Sequence, residues 1–255
     1  MEREITLSSF PVRDVKGNRP GNFTTKFSSE IDLSDRNASY RLAFNRVISM
    51  AFSWTNIYSG YNNQKIAFSK DAGRTFTDIE FAQGVLDYED NNNYISEKTK
   101  IVDGEGKEVF SINLTSDEST FRVIVTLDTD YRLDLTKFNF NNLIGLNKVI
   151  LQNEVNIGSK TPNISDDTDV LDIHCNLISD SLVNGEESDI IFSFGTLRAS
   201  YNFVLEPRRI IFNPINRTSI ASIRVYVTDV FKRLVYLNHA DTAFSLILKR
   251  VSKNN

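Results

Sequence analysis

The stretches Phe23-Thr24-Thr25-Lys26-Phe27 and Tyr40-Arg41-Leu42-Ala43-Phe44 decide the fold class. In the second, large apolar side chains stand two apart; in the first, Phe23 and Phe27 stand four apart with β-branched Thr25 midway. A period of two puts Tyr40, Leu42 and Phe44, and likewise Phe23, Thr25 and Phe27, on one face of an extended strand. Working outward, short alternating runs broken by turn residues fill most of the chain. Residues 65–69 and 76–81 flank Asp71-Ala72-Gly73 and predict a hairpin, and its short length and polar tip make it a surface ribbon over 65–82. A second hairpin is expected between 109–114 and 121–127, across Ser116-Asp117-Glu118-Ser119. Further strands are expected at 170–178, 189–194, 209–212, 220–227 and 242–250. Asn184-Gly185 supplies a tight turn, and Pro207 and Pro214 bracket the strand at 209–212.

One long segment breaks the alternation. In 87–102, Tyr94, Ile95 and Ile101 sit among Asp, Glu, Asn and Lys at helical spacing, and the stretch ends before Asp103-Gly104-Glu105-Gly106. It is expected to be a short helix outside the barrel. Residues 128–168 are the least regular, with a helical turn expected in 138–146. Pro162 and Ser165-Asp166-Asp167-Thr168-Asp169 read as an exposed loop. Roughly eight to ten strands with one helical insertion predict an all-β protein, a single jelly-roll β-sandwich of two antiparallel sheets. With no repeat and no break in composition, one domain is expected over 1–255, containing the hairpin at 65–82 and the helix at 87–102.

Composition narrows the function classes. The 255 residues are 40% hydrophobic and include 18 Phe, enough for a substantial core. The net charge of −4 and the lack of any run of Lys and Arg argue against direct nucleic-acid binding. Cys175 is the one cysteine, so no intrachain disulfide can form. No run approaches the ~18 apolar residues of a membrane helix, and Met1-Glu2-Arg3-Glu4 is unlike a signal peptide. The Asn-x-Ser/Thr triplets at Asn22, Asn37, Asn113, Asn163 and Asn216 therefore read as chance in a chain that folds in a reducing compartment.

The residues offer little chemistry. His239 lies near Asp241 and Ser245, but neighbours along one strand or turn point apart, and no Gly-x-Ser-x-Gly elbow exists. His174 and Cys175 are adjacent on a strand and face opposite ways, which suits a hydrogen-bonded histidine and a core thiol better than a metal pair. Asp166, Asp167 and Asp169 lack the spacing and glycine of a calcium loop, and Gly104 and Gly106 lack the Lys-Ser/Thr of a phosphate loop. No catalytic, cofactor-binding or metal-binding residues are expected, and no enzyme.

Several phrases, taken in order, resemble the penton-type minor capsid proteins of Polinton (Maverick) elements and related adintovirus- and virophage-like viruses. Ile5-Thr6-Leu7-Ser8-Ser9 and Gly21-Asn22-Phe23-Thr24-Thr25-Lys26-Phe27 resemble their opening, and the segment 40–57, containing Phe52-Ser53-Trp54-Thr55-Asn56-Ile57, resembles their strand with an aromatic-rich end. Tyr61-Asn62-Asn63-Gln64-Lys65-Ile66 and residues 81–95 resemble the phrases that follow. In the C-terminal half, similar phrases are Asp172-Ile173-His174-Cys175-Asn176-Leu177-Ile178, Ser181-Leu182-Val183-Asn184-Gly185 and Ile191-Phe192-Ser193-Phe194. Ile223-Arg224-Val225-Tyr226-Val227-Thr228-Asp229 and Phe244-Ser245-Leu246-Ile247-Leu248-Lys249-Arg250 complete the series. Asn238-His239-Ala240-Asp241 departs from the family's Arg-Gly-Glu turn, and 128–168 matches poorly.

The resemblance implies a structural virion protein that assembles inside the host cell. Five copies would form a homopentameric vertex capsomer of an icosahedral capsid, with the double-jelly-roll major capsid protein as neighbour. The length suits one jelly roll and not the fused pair of the major protein. The rival reading is a jelly-roll module binding a glycan or receptor, retained by a host genome.

Overall fold

The computed structural model describes residues 1–10, 16–49, 56–84, 88–102, 108–163, 170–179, 181–183, 186–195, 203–237 and 241–253. The chain opens with β1 (Glu2–Ser8), β2 (Asn22–Asp32) and β3 (Ala38–Ser49). There follow β4 (Lys65–Ser69), β5 (Thr77–Glu80), α1 (Tyr88–Thr99), β6 (Lys100–Val102), β7 (Glu108–Phe110), β8 (Ile112–Asp117) and β9 (Arg122–Leu127). Next come β10 (Arg132–Asp134), α2 (Phe140–Leu143), β11 (Ile150–Leu151), β12 (Val155–Ile157), β13 (Val170–Cys175), β14 (Ser181–Val183) and β15 (Glu186–Ser188). The chain closes with β16 (Ile190–Gly195), β17 (Phe203–Leu205), β18 (Asn213–Ile215), β19 (Ser219–Thr228) and β20 (Thr242–Ser252).

Contacts group these elements into two compact units, Met1–Trp54 with Asp167–Asn255, and Thr55–Asp166. In the first, one sheet runs β1-β20-β3-β17, with β18 also on β3, and the other runs β16-β13-β19-β2. The strands nest as a folded hairpin: first with last (β1·β20), second with next-to-last (β2·β19), β3 with β17 and β18, and β13 with β16, all antiparallel. The two further ladders, β20·β3 and β13·β19, are those made by rolling that hairpin into two sheets. This is the jelly-roll order. The core lies between the sheets. Leu7, Leu42, Phe44, Phe244 and Leu246 come from one, and Phe23, Ile173, Ile223 and Val225 from the other. The rings of Phe23 and Phe244 meet at 5.9 Å, and Phe44 stacks on Phe192 at 4.6 Å.

The strand expected at 209–212 sits elsewhere. The ladder to β3 is made by β18, with Pro214 inside it opposite Arg41, and 209–212 is irregular. A proline lacks the N–H of a ladder, but a short strand paired on one side only can carry it.

The second unit has a four-stranded sheet β11-β10-β4-β5, a three-stranded sheet β12-β9-β8 and the pair β6-β7. The hairpin at 65–82 is present but is no surface ribbon. Ile66, Ala67 and Ile79 are buried, and β4 pairs with β10 on its other edge. Only the tip at Asp71-Ala72-Gly73 keeps the expected polarity, held by Asp71, which accepts hydrogen bonds from the Ser69 and Thr75 hydroxyls. Helix α1 forms within the expected segment. Glu89 and Asp90 in its first turn and Lys98 in its last complement the helix dipole. It is fixed to β8 by Ile95 and also by polar groups: Asn92 Oδ1 accepts the Leu114 N–H at 2.8 Å, and the Ser96 hydroxyl donates to the Ile112 carbonyl. The second hairpin pairs β8 with β9; β8 lies three residues later than expected, since 108–110 pairs with β6 instead, and β9 starts one residue later and ends where expected. Phe81 and Phe140 stack at 4.7 Å in this unit's core, and α2 supplies the helical turn expected in 138–146.

Candidate functional site

Leu171, Ile173 and Cys175 turn from β13 into the core, so alternation puts Asp172 and His174 on the strand's outer face. A register shift in the β13·β16 ladder falls between Ile173 and His174. His174 Nδ1 lies 2.6 Å from Asp189 Oδ1, and Nε2 lies 2.8 Å from Thr228 Oγ1. The Tyr226 hydroxyl donates to the other carboxylate oxygen of Asp189 at 2.8 Å, and its ring stacks on the imidazole at 4.4 Å. Partial burial pushes the Asp189 carboxyl up, but the bonds from His174 and Tyr226 outweigh it and hold the group below its usual range. Burial, and then the Asp189 carboxylate, push the Tyr226 phenol up to about 12. The Asp189 carboxylate thus faces Nδ1 and the Thr228 hydroxyl faces Nε2, fixing the ring from both sides.

An open cavity of about 390 Å³ adjoins the cluster, with Glu187 and Lys232 at its rim. Acid, imidazole and hydroxyl follow the order of a hydrolytic triad, but the hydroxyl belongs to Thr228, which is only 2% exposed. What the geometry does is join β13, β19 and the start of β16 by charge-assisted bonds. Cys175, on the other face, is a core group. Burial raises its thiol to about 12, so it carries no nucleophilic thiolate at neutral pH.

The other sequence candidates fare differently. His239 and the run at 165–169 lie outside the described residues. Ser245 is committed to Glu4, to which it donates at 2.5 Å, and accepts from Asn45. Among the described residues no group of three His, Cys, Asp or Glu is placed to hold a metal.

Two loops present aromatic side chains to solvent, each built around an aspartate. In the first unit Asp229 is fully buried. Its Oδ1 accepts the N–H groups of Phe231 and Arg233, and its Oδ2 accepts Arg233 Nε at 2.6 Å. With Lys232 in the left-handed region, this holds out Val230 and Phe231, the latter 62% exposed. In the second unit Asp117 accepts from the Thr120 hydroxyl at 2.7 Å and from the N–H and hydroxyl of Ser119. These bonds lower its carboxyl to about 2. The turn ends on Phe121, 71% exposed and at φ 53°, a region bulky residues avoid. A further apolar row crosses three strands of the first unit, where Val204 and Ala243 both pair with Ile48.

Solved structures of similar architecture exist. One is the selenomethionine-labelled mavirus penton protein, 12% identical, with a TM-score of 0.48 over 98% of this chain and 99% of that one. Another is the Sputnik virophage structure determined by cryo-EM, 11% identical, with a TM-score of 0.41 over 97% of each chain. No protein-family profile matches, and no curated protein does. The jelly roll here rests on its own strand order.

The His174 cluster and the two loops were not found from sequence. Asp189 and Thr228 are 15 and 54 residues from His174, so only the ladder partners of β13 bring them together. The available signal was local: a histidine at an outward position of an apolar strand, and Phe two and four residues after an Asp at 229 and 117.

Proposed function

We propose that this chain is a structural capsid protein of the penton type, five copies of which close a vertex of an icosahedral shell. One observation carries the reading: most of the phrases that resemble penton proteins fall on β1, β2, β3, β13, β16, β19 and β20, strands that build the jelly roll, while those at 61–66 and 81–95 fall in the second unit and that at 181–185 on β14. In this reading the chain is one capsid protein with residues 55–166 inserted between the third and fourth strands of the roll. It works in the virion, in a shell assembled inside the host cell, beside a double-jelly-roll major capsid protein. The Asp189–His174–Thr228 cluster is then a structural tie, with no catalytic, cofactor or metal site implied.

A cyclic ring requires heterologous contacts, one flank of each copy against the opposite flank of the next. With a net charge of −4, repulsion among copies is modest and is screened beyond ~8–10 Å at physiological salt, so apolar and hydrogen-bonded contacts decide association. Mass photometry over a concentration series, with negative-stain images of the concentrated protein, tests this. Five-fold rings growing with concentration are expected. A strict two-fold dimer with a large self-complementary interface would overturn the vertex role.

A further inference from the structure

We propose that the Val230–Phe231 tip of one copy seats in the groove beside Phe121 of a neighbouring copy, with Lys232 meeting Glu118. The inference rests on self-association as proposed above and names the surfaces that make it.

The tip is an unusual expenditure of structure. A carboxylate is taken fully out of water at Asp229 and satisfied by two backbone N–H groups and the Arg233 guanidinium, and the result is a fixed loop whose apolar residues face solvent. Arg233 also lies over the Phe231 ring at 5.4 Å. Burying an ion costs several kcal/mol unless it is well paired, and a pre-set aromatic loses little freedom when it binds. Aromatic side chains held this way are typical anchors of interfaces.

The receiving groove is open, about 660 Å³, and its floor and walls include Phe121, Pro162 and the stem of Arg122. Its polar rim carries Asp117 and Glu118 against the one guanidinium of Arg122, so the groove is acidic. Phe121 is held in a backbone region that costs an aromatic residue energy, which marks it as a position where strain is tolerated for some return. The tip offers the Lys232 ammonium: Arg233 is neutralised by Asp229, and Lys232 meets Glu186 at 3.7 Å with both side chains more than 70% exposed. Such an exposed pair is worth little and yields readily to a better-placed partner. Opposite charge, an aromatic anchor and an apolar recess of matching scale make a second copy of this acidic chain the occupant. Tip and groove are different surfaces, so the contact is compatible with a heterologous arrangement that propagates round a ring.

The test uses the full chain. Phe231→Ala is expected to weaken self-association roughly tenfold or more, as loss of an anchoring aromatic does. Lys232→Glu should weaken it by several-fold, and adding Glu118→Lys should restore most of the loss, because reversing both charges rebuilds the pair. Both positions are exposed, so circular dichroism should show unchanged folding. For direct contact, Lys232→Cys protein and Glu118→Cys protein of distinguishable mass are mixed under mild oxidation, and a mixed disulfide is expected. Self-association that is unchanged in Phe231→Ala, or no mixed disulfide, overturns the contact. Rings that persist in Phe231→Ala sink the contact and leave the vertex reading standing. A mixed disulfide within a strict two-fold dimer does the reverse. A disulfide formed only within a doubly substituted chain places the tip on its own groove and overturns the contact between copies.

Discussion

The two units are built on different logics. In the jelly roll the ladders join residues far apart in sequence. Glu2 pairs with Lys249 and Asn22 with Tyr226, and the core is a sandwich of aromatic and β-branched side chains. In the unit at 55–166 most ladders are local hairpins, and buried polar groups carry much of the fixing. Asn63 is fully buried and bonds to the backbone of Asn56 and Tyr58, and Asn92 and Ser96 tie α1 to β8. A rolled sandwich is stable once its two faces are apolar. A small mixed unit has less apolar area per residue and leans on satisfied hydrogen bonds. The titratable groups overlap in part, since carboxylates are held low in both units, among them Glu4, Asp35 and Asp189 in the first. The carboxylates of the second unit's turns are held low by hydroxyls, while the first unit holds a phenol and a thiol high by burial.

The largest effects should come from the two cores. Phe244→Ala removes a ring that is 1% exposed and in contact with Phe23, and Phe140→Ala one that is fully buried against Phe81. Each is expected to cost about 3–5 kcal/mol. If the units unfold as separate bodies, scanning calorimetry shows two transitions, and each substitution lowers one of them. A single transition that falls equally for both would break the comparison.

Next in size is the tie on the outer face. His174→Ala leaves Asp189, Thr228 and Tyr226 without their shared partner, and is expected to cost about 2–3 kcal/mol. Urea melts should place the whole loss in the first unit. No loss of stability would mean that the cluster is not a tie but is held for some other purpose.

Alkali should act on the first unit, through two groups that folding holds high, while acid should act on both. The Tyr226 phenol and the Cys175 thiol are raised to about 12 from ordinary values of 10 and 9, so folding favours their neutral forms. That stability is present below about pH 9–10 and is lost as pH rises towards about 12. An ionised Tyr226 would face the Asp189 carboxylate, and an ionised Cys175 would stand in the apolar core. Depressed carboxylates behave oppositely. The stability from Asp117 is present above its ordinary value of 3.8 and is lost as pH falls towards about 2. Tryptophan-independent probes, such as hydrogen exchange of each unit against pH, should show the jelly roll loosening first in alkali. The β8–β9 turn should loosen in strong acid, as Asp117 is protonated.

Much of this contrast was legible in the sequence and some was not, for physical reasons. Alternation at 23–27 and 40–44 is set by burial on one face of a strand, so it survives in the sequence wherever the strand is half-buried. Helix α1 was visible through its lost alternation. The hairpin at 65–82 was read as a ribbon because its polar tip was taken to speak for the strands, while Ile66 and Ile79 already alternated inward. At 209–212, two prolines suggested a bracket, but Pro214 sits inside the strand it was thought to end. The His174 cluster was invisible because its partners come from strands joined only by the roll. The turn at Asp117 was expected, but nothing in the sequence tells that it holds out Phe121 or that Asp229 is fully buried.

The smallest effect sharpens the comparison most. Phe121 occupies a left-handed position at the end of the β8–β9 turn, with its N–H bonded to the Asp117 carbonyl at 2.8 Å. Glycine is the residue such loop positions favour, because it has no Cβ to meet the following carbonyl. For an L-residue the left-handed region costs roughly 1–2 kcal/mol, while glycine adds about 0.5–1 kcal/mol of unfolded-chain entropy. The side chain is 71% exposed and contributes little packing to its own chain. Phe121→Gly is therefore expected to stabilise the second unit by a few tenths to about 1 kcal/mol, visible as a rise of about 1–3 °C in its Tm. The same substitution removes a wall of the proposed groove, so self-association should fall as stability rises. A stabilised variant that associates as well as the parent would make Phe121 a mere tolerated strain. A destabilised one would show that its ring packs against its own unit, and the contrast between exposed loops and buried cores would have to be redrawn at this residue.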